Sequence, residues 1–207
     1  MKKRPGKGKG HLLLLVACAF ILAGCARTAP VRYYQLSALT APIGQGAVDA
    51  VIGIGPVRLP EYLDRPQLVS RLTATRLHLA ESHRWAEPLA ENIPRVMGEN
   101  LSSLLGTDHI LLHPWPASRS TDYQLLVEIL HFENENNGAA RLVALWSVKG
   151  KEGGCVVPER RSSHLVPATS QGREGQVDAL NEALGRFCRE VAEALGTLLR
   201  ATVGASR

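Results

Sequence analysis

The sequence has few cysteines, no catalytic signature and, past its N-terminal segment, no long apolar run; each shortage excludes something. A helix needs roughly twenty apolar residues to cross about 30 Å of hydrocarbon, and nothing beyond Cys25 supplies them. There is no Gly-x-Ser-x-Gly elbow, no Ser-x-x-Lys and no His-Glu-x-x-His, so the common hydrolase and zinc-protease arrangements are missing. The nearest approach to a ligand pair is His78 with His83 or His109 with His113. The first pair lies in a strand-like stretch and need not share a face, and the second has helical spacing in residues that read as strand or loop. Gly6-Lys7-Gly8-Lys9-Gly10 lacks the phosphate-loop pattern. No internal repeat is present. These absences predict no catalytic residue and no metal site, and they leave an enzyme as the weaker alternative.

What is present begins at the N-terminus. Lys2, Lys3, Arg4, Lys7 and Lys9 precede an apolar run from Leu12 to Leu22, the layout of an export signal. Leu22-Ala23-Gly24-Cys25 follows and resembles the lipobox of a lipoprotein signal peptidase. The small residues admit the backbone to the peptidase cleft beside the modified sulfur. Cleavage before Cys25 is therefore expected, with lipid such as palmitate on that cysteine as the only attached group. Acyl chains contribute about 0.8 kcal/mol per buried CH₂, and more than one makes anchoring stable. The residue after Cys25 is Ala26 and not the Asp associated with inner-membrane retention, which predicts the periplasmic face of the outer membrane.

Processing also settles the charge. The formal charge of +5 comes from 24 Lys and Arg against 19 Asp and Glu, and the five basic residues ahead of Cys25 account for all of the excess. The mature chain is neutral, which argues against nucleic acid as a partner. Residues 1–24 are the signal, 25–47 a lipidated tether with a first short strand, 48–202 a single periplasmic domain and 203–207 a tail. Beyond Cys25 only Cys155 and Cys188 remain. In an oxidising compartment these could bridge or stay as separate buried thiols, and a bridge is the expectation.

Along the domain, Tyr33 to Leu36 and Val51 to Val57 read as strands, and Gln67 to Leu79 as one bent strand or two short ones. Pro60 and Pro66 bracket Glu61-Tyr62-Leu63-Asp64-Arg65 as a stiff loop. A helix should start near Glu87-Pro88 and end at Gly106. Pro94 should either kink that helix or move its start to about Asn92. Ile110 to Leu112 is a short apolar piece. Asp122–Glu133 and Ala139–Lys149 form a hairpin around Asn134–Gly138, its second strand apolar on both sides and hence expected to be covered on both faces. Another strand follows around Cys155 to Leu165. Val177, Leu180, Leu184, Phe187, Val191, Leu195 and Leu198 mark a final amphipathic helix that packs on the sheet. The fold class is α+β: a single domain with an antiparallel or mixed sheet and two main helices on one face.

The stretch from Val51 through Pro56-Val57-Arg58-Leu59-Pro60-Glu61-Tyr62-Leu63-Asp64-Arg65-Pro66 to Val69 resembles the signature of the ABC-type transport auxiliary lipoproteins, a PqiC-like and YmbA-like family. Tyr33-Tyr34-Gln35-Leu36, Arg84-Trp85-Ala86-Glu87-Pro88-Leu89, Asp122-Tyr123 and Phe132-Glu133 resemble further family segments in the same order. Pro94 and the pair Cys155 and Cys188 depart from it. The resemblance implies a non-enzymatic subunit of a lipid-trafficking system that supports outer-membrane integrity. Its implied partners are an MCE-domain tunnel protein and an inner-membrane transporter subunit. A homo-oligomer is compatible with it, and a pilot-type assembly lipoprotein is the alternative. Candidate interface residues are Glu61, Tyr62, Asp64 and Arg65 on the stiff loop, with Arg84 and Trp85; a rigid loop carrying aromatic and charged groups suits an interface. The competing reading makes Tyr62 and Trp85 core anchors.

Overall fold

The structure, a computed structural model, describes residues 30–39 and 50–205. Leu22, Ala23, Gly24 and Cys25, with the signal and most of the expected tether, lie outside the described residues. In chain order the elements are β1 (Arg32–Tyr34), β2 (Ile52–Arg58), a 3-10 turn (Glu61–Leu63), β3 (Gln67–Arg71), β4 (Leu77–Trp85), α1 (Leu89–Leu105), β5 (Ile110–Leu112), β6 (Tyr123–Glu135), β7 (Ala140–Gly150), β8 (Cys155–Val166) and α2 (Arg173–Ala205). The strands form one eight-stranded mixed sheet. Both helices lie on one face of it, α1 against β2 and β5, α2 against β6, β7 and β8, and they touch each other. The expected α+β class and the long hairpin are both present.

Alternation within the strands builds this core. On β7, Leu142, Ala144, Trp146 and Val148 are at most 1% exposed and belong to the same cluster as Leu180, Leu184, Phe187 and Val191 of α2. The other face of β7 is covered in part, with Val143 1% exposed. Leu145 and Ser147 are half-buried and line a shallow open groove with Pro56, Arg58, Leu126 and Glu128. The helices occupy one face only, so the second apolar side of β7 is covered along part of its length and open along the rest.

One helix takes the first of the two starts read from its sequence, and one strand runs further than its sequence reading. Helix α1 starts at Leu89 behind Pro88 and runs through Pro94 to Gly106, whose N–H closes it on the Ser102 carbonyl. The later start near Asn92 is not adopted. Pro94 removes one main-chain bond, while Leu89, Ile93, Met97 and Leu101, each at most 2% exposed, bury the helix along its length. Strand β4 continues past Leu79, where the strand reading stopped, to Arg84 and Trp85.

The spine of the sheet is β6. One edge pairs with β7 along nearly its whole length. Along the other edge two strands follow one another: β2 pairs in parallel with Tyr123 to Glu128, and β3 pairs in parallel with Asn134 and Glu135. Between them lies an unpaired stretch of β6 edge, with a bulge between Ile129 and His131. The chain crosses this gap through the proline-bracketed loop.

Residues 32–39 are part of the folded unit. Strand β1 pairs in parallel with β4, and the chain then runs extended beside both helices. Three asparagine side chains accept its backbone N–H groups: Asn92 from Leu36 at 3.0 Å, Asn181 from Ser37 at 3.1 Å and Asn100 from Leu39 at 2.9 Å. Leu36 is 1% exposed. Gly185 on α2 permits this approach, because a Cβ there would run into the Leu39 side chain. An extended segment off the sheet edge needs outside partners for its N–H groups, and the asparagine amides supply them.

Candidate functional site

Two short strands and a gap create the demand that the site answers. Between β2 and β3, the edge groups of β6 have no strand neighbour, and a buried unpaired main-chain group costs about 1–3 kcal/mol. The loop from Leu59 to Pro66 fills the gap. Proline fixes φ at each end, and the 3-10 turn between closes with the Leu63 N–H on the Pro60 carbonyl at 2.9 Å. The turn inserts Leu63 into the core at 1% exposure and aims Tyr62 at β6, where its hydroxyl lies 3.3 Å from the Leu130 carbonyl and 2.7 Å from Glu133 Oε2.

Glu133 is the node. Its side chain is fully buried, and both of its oxygens are occupied. Oε1 accepts from Arg71 Nε at 2.7 Å and from His131 Nδ1 at 3.0 Å, and Oε2 accepts from Tyr62 and, at 2.9 Å, from the Phe132 N–H. An ionised carboxylate only accepts, so His131 must carry its proton on Nδ1. The Arg71 guanidinium also lies 5.6 Å above the Tyr62 ring. Burial by itself would raise the pKa of Glu133; the bonds from Arg71, His131 and Tyr62 outweigh it and hold the carboxyl below its ordinary value. Burial and the neighbouring carboxylate push the Tyr62 phenol well up. With every acceptor position taken, Glu133 serves as a brace that joins β3, β6 and the loop, and it has no free lone pair with which to accept a proton from a substrate.

The sequence candidates divide accordingly. Glu61 and Asp64 are exposed on the braced loop, and Arg65 is half-buried. Tyr62 is half-buried with its hydroxyl turned inward, and Trp85 is 6% exposed, its main-chain N–H bonded to the Pro66 carbonyl at 2.6 Å. These two aromatic residues anchor the loop and are not exposed contacts. Arg84 stands on β4 beside β1, paired in register with Tyr33. The loop thus has an inward aromatic side and an outward charged one.

The expected disulfide does not form. Cys155 begins β8 in the open, with its thiol donating to the Val157 carbonyl at 3.3 Å. Cys188 is fully buried between the helices, 3.8 Å from the Asn100 amide, and burial pushes its thiol up to about 12. One cysteine is in the core and the other on a surface strand end, so the two thiols stay separate.

A second polar network brings Ser162, His164 and Glu190 together. Ser162 is 3% exposed; its hydroxyl receives the Trp146 indole N–H at 2.8 Å and donates to Glu190 Oε1 at 2.7 Å, while His164 Nε2 lies 3.1 Å from Glu190 Oε2. The residue types are those of a nucleophile triad, but the wiring differs. The serine meets the carboxylate directly, with no histidine to take its proton. Among the described residues no three His, Cys, Asp or Glu side chains converge as metal ligands, and no helix is long and apolar enough to cross a membrane.

Sequence reasoning found the loop and the Phe132-Glu133 segment but missed Arg71 and His131 as partners of Glu133. It also missed Asn92, Asn100 and Asn181. A polar asparagine inside an apolar helical stripe was the available signal: Asn92 and Asn100 fall among Leu89, Ile93, Met97 and Leu101.

The mixed sheet with both helices on one face, its gap spanned by a braced loop, defines a class of small α+β domain. Over residues 34–192 the sequence matches the family described as ABC-type transport auxiliary lipoprotein component, and the chain belongs to that family. It is thus a lipoprotein that serves as an auxiliary component of ABC-type transport. No curated protein matches it by sequence. Among solved structures it is similar to a protein from Xanthomonas campestris, with a TM-score of 0.66 and 16% identity over 84% of this chain and 99% of that one. A second similar structure, of an uncharacterized protein, has a TM-score of 0.65 and 20% identity over 81% and 99% of the respective chains. At these identities the two structures speak for the fold alone.

Proposed function

We propose that this protein is held by lipid on Cys25 at the periplasmic face of the outer membrane and is the docking subunit of an intermembrane lipid transport system. In this reading residues 1–24 are removed on export, and the domain receives the outer end of an MCE-domain tunnel whose inner end rests on an inner-membrane transporter subunit. It binds and positions without catalysing a reaction, and it supports outer-membrane integrity by doing so. The observation that carries this reading is the family match over residues 34–192, supported by the lipobox-like Leu22-Ala23-Gly24-Cys25. Glu61, Asp64 and Arg65 on the braced loop are the proposed contact residues. A loop held rigid before binding loses little entropy on docking, and the Glu133 brace provides that rigidity.

Crosslinking in intact cells, membrane fractionation and capture of a C-terminally tagged chain test the proposal. An MCE-domain protein recovered with the outer-membrane fraction is the expected result. Recovery with an unrelated envelope assembly machine, or in the inner-membrane fraction alone, would replace it with a pilot-type role.

A further inference from the structure

The sheet edge that follows Cys25 most closely in sequence carries a surface that the docking role does not use. Strand β1 begins seven residues after Cys25, and Tyr33 comes eight residues after it. Tyr33 is 65% exposed, more than any other large hydrophobic side chain described. Its register partner across the parallel β1–β4 pair is Arg84, and register partners present their side chains on the same face of a sheet. Arg84 Nε donates to the Glu81 carbonyl at 3.3 Å, and no carboxylate among the described residues pairs with its guanidinium. Arg32, on the opposite face of the strand, is by contrast occupied by Glu174 at 3.4 Å.

The length of chain between anchor and strand says what this surface meets. An extended chain covers at most about 3.6 Å per residue, so Tyr33 stays within about 29 Å of the lipidated residue. A domain of this size has a radius of gyration of about 16 Å and is therefore wider than that reach. The edge bearing β1 therefore cannot move farther than that from the headgroups, whereas the far side of the domain can. Tyrosine, with an apolar ring and a polar tip, favours the membrane–water boundary. A guanidinium pairs with phosphate oxygens through two parallel hydrogen bonds.

We infer that Tyr33 and Arg84 form a lipid-contact surface, which seats the β1–β4 edge on the phospholipid headgroups and sets the orientation of the domain on its membrane. The inference rests on lipidation of Cys25. It goes beyond the proposed function because it assigns a second, non-covalent contact with the membrane and a direction in which the rest of the domain projects.

The test uses the lipidated protein purified from membranes and placed in vesicles of phosphatidylethanolamine and phosphatidylglycerol. In a Cys155→Ser background, Tyr33→Cys and, separately, Leu165→Cys provide single reactive positions for a spin label; Leu165 is 55% exposed on β8, at another edge of the sheet. The ratio of oxygen to nickel-chelate collisions should be severalfold higher at residue 33 than at residue 165, and Arg84→Glu should lower it. Residue 33 as aqueous as residue 165, or a ratio unmoved by Arg84→Glu, overturns the inference. Shielding of residue 33 in cells but not on protein-free vesicles overturns it as well and assigns the surface to a protein. Loss of the protein from the vesicles altogether overturns the lipid anchor itself, whereas retention with an aqueous residue 33 leaves the anchor and the transport reading standing.

Discussion

Two irregular segments of this domain are fastened in opposite ways. The loop across the β6 gap is held by a charge, the buried Glu133 carboxylate among Arg71, His131 and Tyr62. The N-terminal segment beside the helices is held by neutral amides, Asn92, Asn181 and Asn100. A buried charge fixes geometry strongly but must stay paired, because loss of one partner leaves the other exposed to the full cost of desolvation. A buried amide satisfies backbone groups one at a time and is indifferent to pH. The difference suits the proposed docking role, in which the loop stays rigid to present Glu61 and Asp64, whereas the N-terminal segment need only be led along the helices.

The largest effect is expected at the charged node. Glu133→Gln removes the carboxylate from Arg71 and should cost about 3 kcal/mol, the low end of the roughly 3–5 kcal/mol for breaking a buried pair, since Arg71 retains some access to water. Chemical denaturation measures it; a loss below about 0.5 kcal/mol, the scale of an ordinary surface change, would refute the brace.

The same residue predicts a pH dependence. The carboxyl of Glu133 lies below its ordinary 4.5 in the fold and returns to about that value on unfolding, so the unfolded chain binds more protons in this window. Its contribution is complete above about 4.5 and fades as pH falls through the lower folded value. Stability against pH should therefore show an acid limb that Glu133→Gln flattens.

The amide side is gentler. Asn100→Ala leaves the Leu39 N–H without its acceptor and should cost about 1–3 kcal/mol, and Asn92→Ala should do the same for Leu36. Asn100→Ala should shift the stability curve by the same amount across the acid range, whereas Asn92 also donates to the Glu87 carboxylate and helps hold its pKa down, so part of the Asn92→Ala loss should fade in acid. An Asn100→Ala variant whose loss varied across the acid range would break the contrast between the two fastenings.

Smallest is the effect at Cys155. Because that thiol is exposed and unbridged, Cys155→Ser should change stability by less than about 0.5 kcal/mol. In unreduced native protein an alkylating reagent should modify Cys155 and spare Cys188, as mass spectrometry can show. Two blocked thiols would restore the disulfide.

Much of the architecture was legible because apolar period and turn chemistry are local properties. The long hairpin, the final helix, the Gly106 helix end and the stiff loop between Pro60 and Pro66 follow from residues within a few positions of one another. The candidate site was half legible. Its loop stood out and Glu133 only as part of a family-like segment, while Tyr62 and Trp85 were readable both as interface and as anchor, because an aromatic side chain in a loop carries no local mark of which way it points. Arg71 and Glu133 are 62 residues apart, and no periodicity links them.

The sequence by itself determined the basic and apolar run at the N-terminus, the lipobox-like segment, the balance of charges past Cys25 and the α+β pattern of strands and helices, since each depends on neighbours along the chain. Only the tertiary structure decided that the loop plugs a gap between β2 and β3, that Asn92, Asn100 and Asn181 hold the N-terminal segment, and that Cys155 and Cys188 remain apart. Those outcomes depend on distances between residues remote in sequence, which are set when burial of the apolar faces forces the helices onto one side of the sheet.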